Sequence, residues 1–213
     1  MKKALSLLLC AVLVIAMCTM FTGCSSNKED ITGKWVANVD MTEVLNEYIL
    51  GADETMGEYI KFSDFTLKIN LELGKDGIYK MYADEDSAKK AFDVLKVDFK
   101  DGMTKYLEAY IAQIDATITV QDVLDSMGTT MDELVDTALS DAILESMVDE
   151  MYSEGQYKAE GGKFYTSEDV DTPVPSQNAE KYVLDGNNLT ITGVDESADM
   201  YDIIYPLNFK RVG

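Results

Sequence analysis

The chain has 213 residues, with 18 Lys and Arg against 39 Asp and Glu and a formal net charge of −21. Such a field repels nucleic acid and anionic lipid head groups and favours solubility and cationic partners. There is no histidine, which removes the commonest general base, the commonest transition-metal ligand and the usual pH switch.

The chain opens with Met1-Lys2-Lys3, followed by an uncharged stretch from Ala4 to Thr22. About 20 apolar residues can cross a bilayer. This stretch instead ends in small residues before a cysteine, Phe21-Thr22-Gly23-Cys24, which suits the apolar region and cleavage site of a secretory signal better. It resembles a bacterial lipoprotein signal peptide, with Phe21 where such signals usually carry Leu. The resemblance implies a leader over 1–23, cleavage after Gly23, and acylation of the Cys24 thiol, with palmitate as the expected label. The alternatives are an uncleaved anchor, or simple secretion with Cys24 an ordinary thiol. On the first reading Cys10 and Cys18 leave with the leader, and no second thiol remains to form a disulfide. One acyl chain binds a membrane marginally, whereas two or three hold it firmly. The expected location is therefore the extracytoplasmic side of a bacterial cell membrane, with residues 24–30 as a short acylated tether.

Ile31-Thr32-Gly33-Lys34-Trp35-Val36-Ala37-Asn38-Val39 reads as a first strand carrying the single tryptophan. Asp40 with Glu43 suggests a helix cap, and Val44, Leu45, Tyr48 and Ile49 give a short helical spacing ending at Gly51. Phe65, Leu67, Ile69, Leu71 and Leu73 alternate with polar residues, the pattern of a strand with one buried face. Gly74-Lys75-Asp76-Gly77 is a turn, and 78–83 returns as its hairpin partner. From 84 to 154 the texture becomes helical. Phe92, Leu95, Phe99, Met103, Tyr106, Tyr110 and Ile114 form an apolar stripe, with Asp101-Gly102 predicting a kink or a split. Thr119 with Asp122 and Thr130 with Glu133 predict two further starts. The first opens a helix ending near Gly128. The second opens a longer helix from Met131 to about Tyr152, with Val135, Leu139, Ala142, Ile143 and Met147 inward. Strands resume at 155–160 and 163–166 around Gly161-Gly162, and again at 181–184 and 189–192 around Asp185-Gly186-Asn187-Asn188. Residues 167–178, with Pro173 and Pro175, read as a loop. The last strand is expected at 203–210, with Pro206 marking an edge or a bulge.

These segments predict an α+β fold: an antiparallel up-and-down barrel of about eight strands with an inserted helical block. Closure would remove sticky edges. Gly33-Lys34-Trp35 on the first strand is similar to the Gly-X-Trp that opens the barrel of the lipocalin (calycin) superfamily. Asp76-Gly77-Ile78-Tyr79, and the run from Tyr182 to Ile191 around Asp185-Gly186-Asn187-Asn188, resemble the hairpins of bacterial lipocalin-like lipoproteins. Pro206-Leu207-Asn208-Phe209-Lys210-Arg211 fits the closing strand. The resemblance covers 31–83 and 155–212 within a lipocalin-like domain of 31–213. It implies an up-and-down barrel with an internal cavity. The helical insertion over 84–154 departs from it and leaves open whether the barrel mouth is accessible.

The residues carry no catalytic constellation. A Ser-His-Asp or Cys-His arrangement is impossible without histidine, and there is no Gly-rich phosphate loop, paired-cysteine site or complete calcium loop. Asp84-Glu85-Asp86, Asp169-Val170-Asp171 and Asp195-Glu196 are short acidic clusters that could weakly hold a hard cation; the preferred reading is helix-start charge for the first and loop solvation for the others. No metal, cofactor or catalytic residue is expected, and the chain reads as a non-enzymatic protein. Met103, Met127, Met131, Met147 and Met151 offer either an adaptable apolar face or packing material. Tyr79, Tyr82, Tyr157, Tyr165 and Tyr182 lie on expected strands, where some could line a cavity. The expected partners are the bilayer, through acylated Cys24, and a small hydrophobic ligand in or beside the barrel. The alternative is a cell-envelope protein docking on the helical insertion. The sequence does not assign the ligand-binding residues.

Overall fold

A computed structural model describes residues 30–52, 54–167, 169–175, 179–192 and 205–212. Alternation of side chains decides the strands. In β1 (Gly33–Asp40), Trp35, Ala37 and Val39 are buried while Lys34, Asn38 and Asp40 are exposed. β2 (Thr66–Leu73) buries Leu67, Leu71 and Leu73. The series continues through β3 (Ile78–Ala83), β4 (Ser153–Glu160), β5 (Lys163–Thr166), β6 (Glu180–Asp185), β7 (Asn188–Thr192) and β8 (Leu207–Val212). Neighbours in sequence are neighbours in the sheet, and β8 returns antiparallel to β1 with Trp35 opposite Arg211. The result is a closed up-and-down barrel, as the hairpin pattern predicts. Closure gives every described strand a neighbour on both sides, so none of them stands at a sheet edge.

Two ends of the barrel follow from connectivity. At one end sit the tight turns β2–β3, β4–β5 and β6–β7, where Gly77, Gly161, Gly162 and Gly186 have positive φ. At the other, the chain leaves and re-enters through its longer connections. Pro206 stands just ahead of β8, joined to Tyr205 by a cis peptide bond. The final strand thus begins later than expected, and the proline sacrifices no ladder hydrogen bond. Residues 203 and 204 lie outside the described residues.

The chain divides into two compact units. The barrel unit draws on 30–39, 67–85 and the described residues from 147 onward; the helical unit comprises 40–66 and 86–146. The latter thus gathers the β1–β2 connection as well as most of the expected insertion. The helices are α1 (Thr42–Ala52), α2 (Glu54–Tyr59), α3 (Glu85–Ile114), α4 (Val120–Met127), α5 (Met131–Ala138) and α6 (Asp141–Glu150). Among the described residues no helix is long and apolar enough to cross a membrane.

Within the helical unit four expectations change. Asp40 lies one residue too early to be the cap of α1; its carboxylate accepts from Thr42 N at 2.9 Å. The helix α3 is unbroken at Gly102. A Cβ there would lie 2.7 Å from Ile60 Cα and 2.9 Å from the Tyr59 carbonyl oxygen, so this glycine permits close packing rather than a bend. The stripe of α3 shifts near its end: Phe92 and Leu95 are buried as expected, but Ile111 is buried while Tyr110 and Ile114 are exposed. The long helix after Thr130 is two helices, because Leu139 leaves helical backbone (φ −126°, ψ 63°) and Ser140 restarts it by accepting from Ile143 N and Leu144 N. Of its expected inward residues, Val135, Leu139 and Met147 are buried and Ala142 is exposed.

The capping expectations at Thr119 and Thr130 hold. Both threonines accept from the backbone of the third helical residue, and Asp122 and Glu133 reach back to the cap N–H groups. Those hydrogen bonds hold both carboxyls below the usual range. Gly128 closes α4 in the left-handed conformation. Lys100 Nζ bonds Asp132 at 2.6 Å, and Lys96 Nζ lies 3.3 Å from Asp136, joining α3 to α5.

Candidate functional site

Register places the same face of every strand inward. Tyr79 faces Leu73 and Gly155, Met81 faces Leu71 and Ser153, Ala159 faces Phe164, Phe164 faces Glu180, and Tyr182 faces Ile191. Leu189 faces Phe209, Ile191 faces Leu207, and Trp35 faces Arg211. The inward face is therefore mainly apolar, with Ser153, Thr166 and the tyrosine hydroxyls as uncharged polar groups. Among the described inward positions, Glu180 and Arg211 are the charged ones.

Arg211 closes the tight-turn end. Its guanidinium lies 4.2 Å from the centre of the fully buried Trp35 ring, and it donates to the backbone oxygens of Thr32 and Asp30. The Trp35 indole N–H donates to Ile31 O at 2.9 Å. Gly33 explains the glycine of the opening motif. Its φ of +133° suits glycine, and a Cβ there would sit 2.8 Å from an Arg211 nitrogen. The Tyr157 hydroxyl donates to Gly74 O at 2.8 Å, and its ring meets Phe164 at 5.7 Å. Burial, with the charges of Asp30 and Asp76, pushes this phenol up to about 12.

A polar group lies elsewhere on the lining. Tyr79 is buried; its hydroxyl pairs with Ser153 Oγ at 2.8 Å and donates to Ser167 O at 3.2 Å. Ser167 is itself buried, accepting from Gln156 N and donating to Asp169 O. Gly155 makes room for this arrangement, since a Cβ would lie 2.5 Å from Ser167 O and 3.0 Å from the Tyr79 ring. Glu180, the first residue of β6, accepts a hydrogen bond from the hydroxyl of Tyr205. Burial pushes its carboxyl up to about 7, against the opposing pull of that bond. Burial also raises the Tyr79 phenol; the bond to Ser153 lowers it, and the charge of Glu180 raises it further. A carboxyl poised near neutrality among aromatic rings can hold the polar group of a bound molecule or accept its proton.

No protein-family model, curated protein or solved structure matches the chain.

Gly23 and Cys24, the residues that the leader points to, lie outside the described residues, as does the Asp195-Glu196 pair. Asp84 forms an ion pair with Lys68 at 2.8 Å. Asp169 shapes its own loop, accepting from Asp171 N, Thr172 N and the Thr172 hydroxyl. Tyr79, Tyr157 and Tyr182 face inward. Tyr82 turns outward to Glu72, which also pairs with Lys34 at 2.7 Å. Met147 and Met151 are buried, whereas Met127 is exposed. The sequence reading missed Glu180, though a signal was present: it stands two residues before Tyr182 on one strand, and period two places both on the same face.

Proposed function

We propose that this protein is an acyl-anchored extracytoplasmic lipoprotein of lipocalin-like kind whose barrel binds a small, mainly apolar molecule without transforming it. The supporting observation is the inward face: eight strands in a closed barrel present mainly apolar side chains inward, with Arg211 and Glu180 the charged groups among the described inward positions. Barrels of eight strands are wide enough to fill with side chains or to hold one small ligand. The sequence supports the anchor through Gly23-Cys24 behind an apolar leader.

The mature chain carrying Cys24→Ala, which lacks only the anchor, is delipidated and titrated with an uncharged fluorescent apolar probe while Trp35 emission is followed. The expected result is saturable binding of one probe per chain, reversed by an unlabelled competitor. A linear, non-saturating response would defeat the binding reading. Palmitate labelling tests the anchor separately: the wild-type precursor should label, and Cys24→Ala should not.

A second reading, docking of an envelope protein, draws on the exposed Tyr110 and Ile114, one helical turn apart near the end of α3. Crosslinking from that turn in the native envelope should recover a repeatable partner if it holds.

A further inference from the structure

We infer that the barrel selects apolar molecules bearing a basic nitrogen, holding the ammonium head at the Glu180 carboxylate beside Tyr205 and Tyr79. This rests on the binding reading above and adds the chemistry of the head group.

The two charged inward positions are not equivalent. Arg211 is committed: its nitrogens donate to Thr32 O and Asp30 O, and its face lies on Trp35. It is poorly disposed to receive the acid of a fatty-acid-like ligand. Glu180 receives the Tyr205 hydroxyl, while a carboxylate can accept about four hydrogen bonds. Acceptor capacity therefore remains for a donor-rich head group.

The surroundings favour a cation over other heads. Phe164 stands directly across from Glu180, and Tyr182 lies two residues along the same face. Aromatic rings attract ammonium groups, most strongly where water is displaced. A carboxylate head would meet a like charge. An alcohol could bond to Glu180 but would leave its charge unpaired in an apolar lining. Among the described residues, the titratable groups that act on Glu180 are the Tyr205 and Tyr79 hydroxyls, which contribute no positive charge. The overall charge of −21 also raises the local concentration of cations.

Protons balance simply. The amine arrives as an ammonium, Glu180 gives its proton to solvent where it still holds one, and the two opposite charges pair. Because this carboxyl ionises near 7, the preference for the amine should grow as pH rises through that value. Ordinary carboxylates ionise near about 4, and the chain has no histidine. The surface field is thus nearly constant over the same range and cannot imitate the effect.

The test uses the mature Cys24→Ala chain with dodecylamine, dodecanol and dodecanoate, three probes sharing one tail. Calorimetry is run at about pH 8 and about pH 5.5 on this chain, on the chain with Glu180→Gln, and on a control with Glu160→Gln on the barrel exterior. The amine should bind at least about tenfold more tightly than the alcohol at the higher pH. That preference should shrink towards parity at the lower pH. It should vanish in Glu180→Gln with alcohol affinity retained, and survive in the exterior control. The pH series on the unsubstituted barrel tests the inference even if Glu180→Gln fails to fold. An amine preference that persists in Glu180→Gln, or does not change with pH, assigns it to the surface field and overturns the inference while leaving barrel binding intact. Equal binding of all three probes does the same. Binding of none of them removes both the binding reading and this one.

Discussion

At the scale of single residues, Glu180 and Arg211 show how position converts one side chain into a switch and another into a plug. The Glu180 carboxyl ionises near 7 in the folded chain against an ordinary value of 4.5. Between those pH values the native state keeps a proton that the unfolded state releases. Stability therefore falls as pH rises through this window and levels off above it, by up to about 3 kcal/mol. Glu180→Gln should match wild type near pH 5 and exceed it increasingly towards pH 8 in urea melts; a constant difference between the two proteins would refute the assignment. Arg211→Lys tests the plug. Lysine keeps the charge but loses the planar fork that serves two carbonyls and stacks on Trp35. The expected cost is about 1–3 kcal/mol, with a shift in Trp35 emission, and unchanged emission would mean that the stack is not maintained in solution. The Gly-X-Trp motif was legible in the sequence. The arginine that gives its glycine a reason was legible only as part of a closing strand, because 178 residues separate Gly33 from Arg211 and spacing alone does not pair them.

At the scale of elements, the hairpins and the capped helices could be read from local pattern because their determinants are local. Period-two alternation and glycine turns set the β2–β3, β4–β5 and β6–β7 pairs, and threonine caps set α4 and α5. Thr130→Ala should lower stability by about 1 kcal/mol, since it removes one partner of the reciprocal cap at α5; no change in the urea midpoint would mean that the first turn finds other partners. What remained hidden was tertiary. Gly102 reads as a helix breaker, yet its meaning lies in the approach of Ile60, 42 residues earlier in the chain. Gly102→Ala should gain about 1 kcal/mol of helix propensity and lose about 1–3 kcal/mol to crowding against backbone that cannot retreat. A net loss of stability is the expected outcome, and a net gain would show that α3 and the 59–60 segment are free to separate. The break between α5 and α6 was less well concealed. Ser140 before Asp141 is an ordinary helix start, masked by an apolar spacing that runs on through Leu139 and Ile143.

At the scale of the whole molecule, the acid surplus outweighs any other electrostatic influence, though no single contact reveals it. With 39 acidic against 18 basic side chains, most carboxylates have no cation to answer them, and α1 to α6 have no basic residue in their last turns. Helix C-termini carry partial negative charge that lysine or arginine would relieve, so the surplus and the dipoles act in the same direction. The ion pairs that do form, such as Lys34–Glu72, Lys80–Glu154 and Lys158–Glu160, sit on the surface, where each contributes about 0–1 kcal/mol. Salt screens both kinds of interaction. It weakens these few attractions and the many repulsions together, and the repulsions outnumber them. Raising sodium chloride from about 10 mM to about 300 mM shortens the screening length from about 30 Å to under about 10 Å. The melting temperature should therefore rise, by about 3–6 °C if about 1–2 kcal/mol of repulsion is relieved. Sodium sulfate at matched low ionic strength separates screening from exclusion of salt by the surface, because screening depends on ionic strength alone while exclusion grows with sulfate concentration. A melting temperature that falls with sodium chloride would mean that the scattered ion pairs outweigh the surplus, and the acidic surface would then have to be arranged far more favourably than its composition suggests.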